Sequence, residues 1–426
     1  MSTLHQTENF TRPTRKYMPV LQMWRNTFVS NGLRVAAAML CFATIPSLVA
    51  HDSRVAPKET VTQYFVAPSG DDNADGSRTR PWAGLQHAGQ KARPGSVIHV
   101  APGTYYGAIT TSVSGNPVAR IRFLSDTKWG ARIRSIGVRA TWINDGDFVD
   151  IVGFDISGDG AIGLLNRGSN VRIIANHVHH VPATGCDGNG GAGILNGNYS
   201  AIDNDIISNV VDDIGEPNKS CARVHGIYHS NLRGRILNNI SYGNEGYGIH
   251  LWHAAAEVTI ANNLVFNNRH GGIVIGAGDA PYHGSELHPA DRVLVVNNVV
   301  VYNQNRYGVE ELGVTGPGNT YLNNVVYGNL FANWKLQTGR QLGTINADPH
   351  FLAYREDGSG DYHLSNGSPA IGGASSMGAP LFDIDGVARP TGVLCDIGPY
   401  QSGTGNKPKW PPDSCFPDCV LQITHH

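Results

Sequence analysis

The chain has 426 residues, a formal net charge of −2, only 15% charged residues and 52 glycines. A nucleic-acid-binding protein needs a dense Lys/Arg face that displaces counterions from phosphates, and the absence of any such run argues against nucleic acid as a partner. Abundant glycine with frequent Asn, Val and Ile favours short strands and sharp turns over helices.

The N-terminal region has the pattern of an export signal. An apolar run over residues 35–50 follows Arg25 and Arg34. The run is shorter than the ~20 residues that span a bilayer and is typical of a signal-peptide core. We therefore expect a signal peptide or membrane anchor over residues 1–50, a linker over 51–61 and no membrane span in the mature chain. The protein is expected to be secreted, periplasmic or on the cell surface of a bacterium.

An acidic loop comes next along the chain. Asp71, Asn73 and Asp75 match the first half of an EF-hand loop, although Trp82 stands where the bidentate Glu belongs. A Ca²⁺ site is one expectation for this loop, and a simple Asx-rich turn is the other.

A short helix is predicted over residues 82–93. Trp82, Leu85, Ala88 and Ala92 fall on one helical face, and Pro94 follows the segment. The first coil of a repeat protein has unpaired strand edges that must be covered to prevent edge-to-edge association. We therefore expect this helix to be a cap.

The middle of the chain repeats two interleaved motifs. In the first, an aliphatic stretch is followed by Asn-x-aliphatic, and in the second, Gly precedes Ile or Val. The first motif places its Asn at Asn176, Asn204, Asn238, Asn262, Asn297 and Asn323. The second places its Gly at Gly193, Gly226, Gly248, Gly272 and Gly308. Constant motifs at irregular spacing predict a β-solenoid with variable loops, running from about residue 97 to about 343. We expect Asn238, Asn262, Asn297 and Asn323 to stack in one bend and bond between coils.

Two terminal stretches carry a family resemblance. The N-terminal motifs are Tyr64–Asp71, Pro81-Trp82 and Ala92–Tyr105, and the C-terminal motifs are Asp348–Phe351, Tyr362–Leu364, Gly367–Ile371 and Asp396–Tyr400. The first set resembles the opening of the pectate-lyase-like right-handed parallel β-helix superfamily, and the second resembles a choice-of-anchor Q segment. The resemblance implies an all-β solenoid over 62–343 with its N-terminal cap, a closing segment over 344–402 and a tail over 403–426. Because the superfamily includes lyases, hydrolases, C5-epimerases and binding proteins, the resemblance leaves the reaction open.

One outward column of side chains is a candidate functional site. The position after each Gly-Ile motif should point outward and stack from coil to coil. This column holds Leu195, Tyr228, His250, Val274, Glu310 and, by a looser alignment, Lys335. A strand surface without a function is expected to show mainly Thr, Ser and Val here. We expect the column to form an exposed groove for a sugar chain.

The residues of this column favour a polysaccharide lyase acting on uronates. Elimination needs a base for the C5 proton, a proton donor for the leaving oxygen and a group that neutralises the carboxylate. His250 or Lys335 is assigned as base, Tyr228 as donor, and His225 or Arg223 as the carboxylate partner. The candidate catalytic residues are Tyr228, His250, His225, His229 and Lys335. The candidate substrate-binding residues are Arg223, Trp252, His253, Glu310 and Glu311.

Three alternatives stay open. A glycoside hydrolase needs two carboxylates ~5 to 9.5 Å apart, whereas Glu310 and Glu311 are adjacent and point to opposite faces of a strand. A C5-epimerase shares the proton abstraction with a lyase. A surface carbohydrate-binding protein or adhesin would use the same aromatic groove without turnover. In each case the expected partner is a polysaccharide, and the chain is expected to be a monomer.

Two cysteines are predicted to pair. Cys186 and Cys221 lie in consecutive loops that precede Gly193 and Gly226. In an oxidising compartment a disulfide forms if the loops bring the two Cα atoms within ~7 Å.

Overall fold

The structure is a computed structural model that describes residues 61–183, 186, 190–278, 288–390, 395–403 and 410. The expected signal peptide or anchor, nearly all of the linker and most of the tail lie outside the described residues. Within those residues, no helix has both the length and the apolar character needed to cross a membrane.

The described chain is a right-handed parallel β-helix built from three sheets. Each coil contributes one strand to sheet A, one to sheet B and one to sheet C, in that order along the chain. Sheet A consists of β1 (Thr62–Val66), β2 (Ser96–Val100), β5 (Ile121–Ser125), β8 (Val149–Val152), β11 (Arg172–Ile174), β14 (Ile202–Ile207), β17 (Leu232–Leu237), β20 (Val258–Ala261), β23 (Leu294–Val296), β26 (Thr320–Leu322) and β29 (Arg340–Leu342). Sheet B consists of β3 (Gly103–Tyr106), β6 (Ala131–Ser135), β9 (Asp155–Gly158), β12 (His177–Val181), β15 (Val210–Ile214), β18 (Ile240–Tyr242), β21 (Leu264–Phe266), β24 (Val299–Val301) and β27 (Val325–Tyr327). Sheet C consists of β4 (Ile109–Thr111), β7 (Ala140–Asn144), β10 (Ile162–Asn166), β13 (Gly191–Asn196), β16 (Val224–His229), β19 (Tyr247–Leu251), β22 (Gly271–Ala277), β25 (Tyr307–Gly313) and β28 (Ala332–Lys335).

The predicted cap is present as α1 (Leu85–Lys91). Leu85 and Ala88 are buried in the main core together with Trp82, and the helix ends at Ala92, before Pro94. Sheet A begins one strand earlier than expected, because β1 pairs with β2 ahead of residue 97.

The interior of the helix is filled by stacked side chains from equivalent positions of successive coils. In sheet A, Ile173 pairs with Ile206, which pairs with Ile236, and all three are fully buried. Parallel pairing without a register slip puts like residues above one another, so every coil repeats the same inward pattern. The outward positions are consequently equivalent as well, which is what allows a column of functional side chains.

The bend between sheets A and B carries an asparagine ladder, but one residue later than predicted. The ladder consists of Asn176, Asn209, Asn239, Asn263, Asn298 and Asn324. In each of the five bonds that join these six residues, Nδ2 donates to the Oδ1 of the next coil over 2.9 to 3.1 Å. The continuous ladder therefore lies one residue after the predicted Asn238, Asn262, Asn297 and Asn323. These four residues do share the left-handed bend, and Asn297 donates to Asn262 over 3.4 Å. Asn204 bonds instead to the backbone oxygen of Gly168 and to Asn231.

The first Asn of each Asn-Asn pair has a different task. Asn262 and Asn297 have φ values of 55° and 57°, in the left-handed region that Asn tolerates. Their side chains point outward and donate to the C-terminal segment, Asn262 to the oxygen of Gly398 over 3.0 Å and Asn297 to that of Ser375 over 2.7 Å. The second Asn supplies the continuous ladder and the first contacts the closing segment, so each pair joins the coil to that segment.

The C-terminal segment lies on the outward face of sheet B. It contains one antiparallel hairpin, β30 (Phe351–Ala353) and β31 (Asp361–Leu364). Tyr362 and Ile397 are buried against Phe266 and Val299 of the sheet. The later coils of sheet B are therefore covered, whereas Asp155 of β9 and His177 of β12, on earlier coils, remain partly exposed on the outer face.

The predicted disulfide between Cys186 and Cys221 is present. Their Cα atoms lie 5.8 Å apart. The bond joins the turns that precede β13 and β16, next to the start of the candidate column.

Candidate functional site

The predicted column is reproduced coil by coil in sheet C. The register pairs Leu195 with Tyr228, Tyr228 with His250, His250 with Val274, Val274 with Glu310, and Glu310 with Lys335. The Gly-Ile alignment therefore identified equivalent positions correctly, including Lys335. Glycine is required in the motif because a Cβ on Gly226 would lie 2.3 Å from Oγ of Ser241 inside the coil.

The centre of this column is buried, in contrast to the exposed groove expected from the sequence. His250 is 7% exposed and Glu310 is fully buried, while Tyr228 and Lys335 are partly exposed. Neighbouring aromatic and charged side chains on the same face account for part of this cover, among them Tyr247 and Trp252. A sugar on this face therefore meets Tyr228 before it meets His250.

Two histidines form a hydrogen-bonded pair beneath Tyr228. Nδ1 of His250 lies 2.7 Å from Nε2 of His225, and their ring centroids are 4.1 Å apart. Nδ1 of His225 and Nε2 of His250 are buried and have no hydrogen-bond partner among the described residues. Each imidazole therefore has one nitrogen in the pair and one left available for proton transfer.

Both imidazoles are held in the neutral form. Burial lowers the pKa of His225 to about 3, and the nearby His270 acts in the same direction. Burial also lowers the pKa of His250 well below its usual value, reinforced by His225 and His253. Among the residues that the structure describes, no carboxylate hydrogen-bonds to either ring, so the pair accepts or relays a proton as neutral imidazole.

Aromatic side chains frame the pair. The Tyr228 ring stacks on His250 with centroids 4.9 Å apart and an interplanar angle of 15°. Tyr247 lies 5.4 Å from His250 by ring centroids and 4.9 Å from His270. We call the set of His225, Tyr228, Tyr247, His250 and His270 the His–Tyr cluster.

The predicted binding residue Glu310 is hydrogen-bonded to other side chains of the protein. It accepts two hydrogen bonds from Arg306, at 2.8 and 2.7 Å, and one from the Tyr247 hydroxyl at 2.5 Å. This bidentate pair neutralises a carboxylate with no solvent exposure. Glu310 therefore positions Tyr247, and its carboxylate is buried rather than exposed on the groove as expected.

His229 and Glu311 lie on the inward side of their strands. His229 is fully buried, its Nδ1 lies 3.0 Å from Nδ2 of Asn196, and burial lowers its pKa to about 4. Glu311 accepts hydrogen bonds from the Tyr321 hydroxyl and from the backbone N–H of Gln337. Alternation along a strand separates them from their outward neighbours, so His229 and Glu311, expected as a catalytic and a binding residue, do not lie on the face of the column.

Trp252 and His253 lie beside the column, as expected. The Trp252 indole covers Gly276 and Gly278, where added Cβ atoms would approach its ring to 2.4 and 2.8 Å. Nε2 of His253 lies 3.0 Å from the Tyr199 hydroxyl. The glycines leave room for the indole to pack against the backbone. The indole is partly exposed along the face of sheet C.

The two remaining cations lie on either side of the cluster. Arg223 is exposed two residues before His225, and Nζ of Lys335 lies 5.5 Å from the centre of the Tyr307 ring. Because both carry a positive charge at the border of a largely uncharged cluster, they suit the carboxylates of an acidic polymer.

The acidic loop forms turns. Oδ1 of Asp71 accepts hydrogen bonds from N and Nδ2 of Asn73, and Oδ1 of Asp75 accepts one from N of Ser77. These oxygens are directed at their own backbone, so the Asx-turn interpretation accounts for Asp71, Asn73 and Asp75 without Ca²⁺. Within the described ranges, the only group of three or more His, Cys, Asp or Glu side chains close enough to share an ion lies in sheet B, at Asp155, His177 and His179.

Tyr247, His270 and Arg306 were missed from the sequence. Tyr247 precedes Gly248-Ile249 just as His225 precedes Gly226-Ile227, so the position before the glycine defines a second outward column. Extending the alignment to that position would have found Tyr247. His270 and Arg306 belong to turns, where the repeat gives no register.

Comparisons with known proteins agree with the architecture. The family described as "Right handed beta helix region" matches residues 130–287. The crystal structure of pectate lyase Pel9A superposes with a TM-score of 0.54 at 18% sequence identity, covering 81% of this chain and 97% of that one. At this identity the similarity concerns the fold.

Two further comparisons are more distant or shorter. A rhamnogalacturonan lyase structure superposes with a TM-score of 0.47 at 13% identity, covering 70% of this chain and 92% of that one. The uncharacterized protein YwoF of Bacillus subtilis (strain 168) is 28% identical over 156 residues, which is 33% of this chain and 33% of YwoF. The chain thus spans about a third of the length of the curated relative it matches.

Proposed function

We propose that this protein is an exported polysaccharide lyase that cleaves a uronate-containing polysaccharide by β-elimination at the His–Tyr cluster. The observation that carries the proposal is the neutral His225–His250 pair stacked beneath Tyr228 on consecutive coils. Export is supported by the apolar run over residues 35–50, and a saccharide substrate is consistent with the lyase named among the similar folds.

The pair can act as a base through one tautomer. When His250 donates its Nδ1 hydrogen to Nε2 of His225, Nε2 of His250 carries the lone pair. That lone pair takes the C5 proton of the uronate as the C4–C5 double bond forms and the C4–O bond breaks. Tyr228 donates a proton to the leaving oxygen, and the protonated imidazole later returns its proton to the phenolate or to solvent.

The low pKa of the pair fits an anionic substrate. A neutral imidazole in a buried site is a weak base while no negative charge is near. A uronate carboxylate bound beside the pair raises the imidazole pKa, so base strength increases when the substrate arrives. We assign the binding of such carboxylates to Arg223, which is exposed, and to Lys335, which is partly exposed.

Substrate access to His250 requires a side-chain movement. The Tyr228 ring stacks on His250 from the adjacent coil, and His250 is only 7% exposed. Exposed side chains change rotamer rapidly, so movement of the partly exposed Tyr228 or Trp252 can admit a sugar to His250.

Hydrolysis is disfavoured by the engagement of both glutamates. A glycosidase needs two available carboxylates ~5 to 9.5 Å apart. Glu310 is bonded to Arg306 and Tyr247, and Glu311 faces the interior. Epimerisation at C5 shares the proton abstraction and differs only in the return of the proton to the opposite face of the ring.

The test is a panel of uronate polymers incubated with the full-length protein. A lyase releases products with absorbance from the unsaturated ring, an epimerase changes the polymer without new ends, and a hydrolase releases saturated reducing ends. We expect unsaturated product from at least one polymer, and its loss in Tyr228→Phe, which keeps the ring and removes the hydroxyl. Tyr106→Phe, at an 84% exposed position on sheet B, is the matched control. Saturated ends, an epimerised polymer or polymer binding without turnover would each contradict the elimination proposal.

A further inference from the structure

A second histidine cluster lies on the outward face of sheet B. His177 and His179 alternate onto one face of β12, with Asp155 on the preceding coil and Asp212 on the following one. We call Asp155, His177, His179 and Asp212 the His–Asp cluster. One ligand atom from each of Asp155, His177 and His179 lies within 4.8 Å of the others.

Two ring nitrogens are directed at the same carboxylate. Nε2 of His179 lies 3.1 Å from Oδ1 of Asp155, and Nδ1 of His177 lies 3.6 Å from its Oδ2. A tetrahedral Zn²⁺ with bonds of about 2.0 to 2.2 Å separates its ligand atoms by about 3.3 Å. The three ligand atoms lie within 4.8 Å of one another, so side-chain movements that bring them closer together would let them share such an ion.

The opposite nitrogens are fixed by other groups. Nε2 of His177 lies 2.8 Å from Oδ1 of Asp212, and Nδ1 of His179 lies 2.6 Å from Nδ1 of His180. Metal-binding histidines commonly bond through the second ring nitrogen to a carboxylate or another acceptor, which sets the tautomer and the ring orientation. The cluster therefore has an inner set of ligand atoms and an outer set of orienting contacts.

We propose that the His–Asp cluster is a transition-metal site for an ion of the Zn²⁺ class. Imidazole nitrogens with one carboxylate oxygen suit Zn²⁺, Co²⁺ or Ni²⁺ rather than Ca²⁺. Oδ1 of Asp155 also accepts from Arg134 at 2.5 Å, so the ion takes Oδ2 while Arg134 keeps Oδ1. The ion ties β9 to β12 directly, with β15 held through Asp212, at the border of the part of sheet B that the C-terminal segment covers.

The test uses the full-length chain stripped of metal and titrated with Zn²⁺ by calorimetry. We expect one Zn²⁺ per chain, a higher unfolding temperature, and a d–d absorption spectrum when Co²⁺ replaces Zn²⁺. His179→Ala removes an inner ligand, and Asp212→Asn disturbs only an outer contact, for which metal affinity falls by about 10- to 100-fold. The loss in His179→Ala should be at least as large.

The matched control is His363→Ala. His363 also lies between two carboxylates, 2.7 Å from Asp361 and 3.3 Å from Asp385, but outside this cluster. It should leave the affinity for Zn²⁺ unchanged. The proposal is overturned if the wild-type chain takes up no stoichiometric Zn²⁺, if His179→Ala binds it as tightly as the wild type, or if His363→Ala loses it to the same extent. These readouts do not depend on catalytic turnover.

Discussion

The two histidine clusters lie on neighbouring sheets and have opposite electrostatics. In the His–Asp cluster, burial acts to lower the pKa of His177, but hydrogen bonds to Asp155 and Asp212 outweigh it and raise the pKa to about 9. In the His–Tyr cluster, burial lowers the pKa of His225 to about 3, and the nearby His270 acts in the same direction. Residue type is the same in both, so the neighbours on adjacent coils decide the protonation state.

This difference shows how residues on adjacent coils of a β-helix determine the pKa of a side chain. Asp155 and Asp212 belong to strands on either side of β12, while the corresponding neighbours of His250 are Tyr228 and Val274. A parallel sheet places these neighbours about 4.8 Å apart, within reach of a direct hydrogen bond between side chains. Exchanging a single outward residue one coil away can therefore raise or lower the pKa of a histidine.

The largest effect is expected on the free energy of unfolding when the pH is lowered, because of His225 in the His–Tyr cluster. Unfolded His225 binds a proton below its usual pKa of about 6.5, whereas the folded residue does so only near pH 3. The free energy of unfolding should therefore fall as pH drops through this window, by about 1.4 kcal/mol per pH unit for this residue. Denaturant unfolding of wild type and His225→Gln between pH 7 and pH 4 measures it, because the variant lacks this contribution. Equal pH slopes in the two proteins would show that His225 is not held neutral.

The next effect concerns turnover. His250→Ala removes the proposed base and should lower turnover by ~100-fold or more, the usual loss for a general base. His177→Ala in the other cluster should leave turnover within a few-fold of the wild type, provided that circular dichroism shows it folded. If both variants lose activity equally, the assignment of chemistry to sheet C alone fails.

The smallest effect concerns the scaffold beneath both clusters. Asn263→Ala removes a fully buried ladder amide that bonds to Asn239 and Asn298, leaving groups unpaired at a cost of roughly 1 to 3 kcal/mol in unfolding free energy. Asn262→Ala leaves the ladder bonds intact and removes two contacts with the C-terminal segment, at 3.0 and 3.2 Å, together with the longer 3.4 Å bond that Asn297 donates to Oδ1 of Asn262. Chemical denaturation should therefore find Asn263→Ala the less stable of the two. The reverse order would mean that the outward Asn, and not the ladder, holds the coils.

Much of the architecture followed from repetition in the sequence. The Gly-Ile motif predicted which residues of successive coils are equivalent, and the pairing of Tyr228 with His250 and of Glu310 with Lys335 is confirmed. The disulfide between Cys186 and Cys221 followed from the same alignment. These features depend on the order of residues along a parallel strand, which a repeat displays directly.

The sequence did not reveal the asparagine register. In an Asn-Asn pair either residue can occupy the left-handed bend, and composition alone does not distinguish them. The structure gives the left-handed position to Asn262, with φ of 55°, and the ladder to Asn263. Earlier coils carry Ala175 before Asn176 and Ser208 before Asn209, so only the second residue is constant. Anchoring the alignment on that residue would have corrected the prediction.

By itself, then, the sequence determined the coil repeat, the outward column and its residue types, because strand alternation and parallel pairing are local and periodic. Tertiary structure decided that His250 and Glu310 are buried and that Arg306 bonds to Glu310. It also decided that Asp155 contacts the histidines of β12. Burial and contacts between non-equivalent positions depend on side chains from turns and from other coils. The repeat pattern does not specify where those side chains lie. The physical reason is that charge and proton affinity depend on distances of a few ångströms in three dimensions, while a repeat specifies only which positions are equivalent.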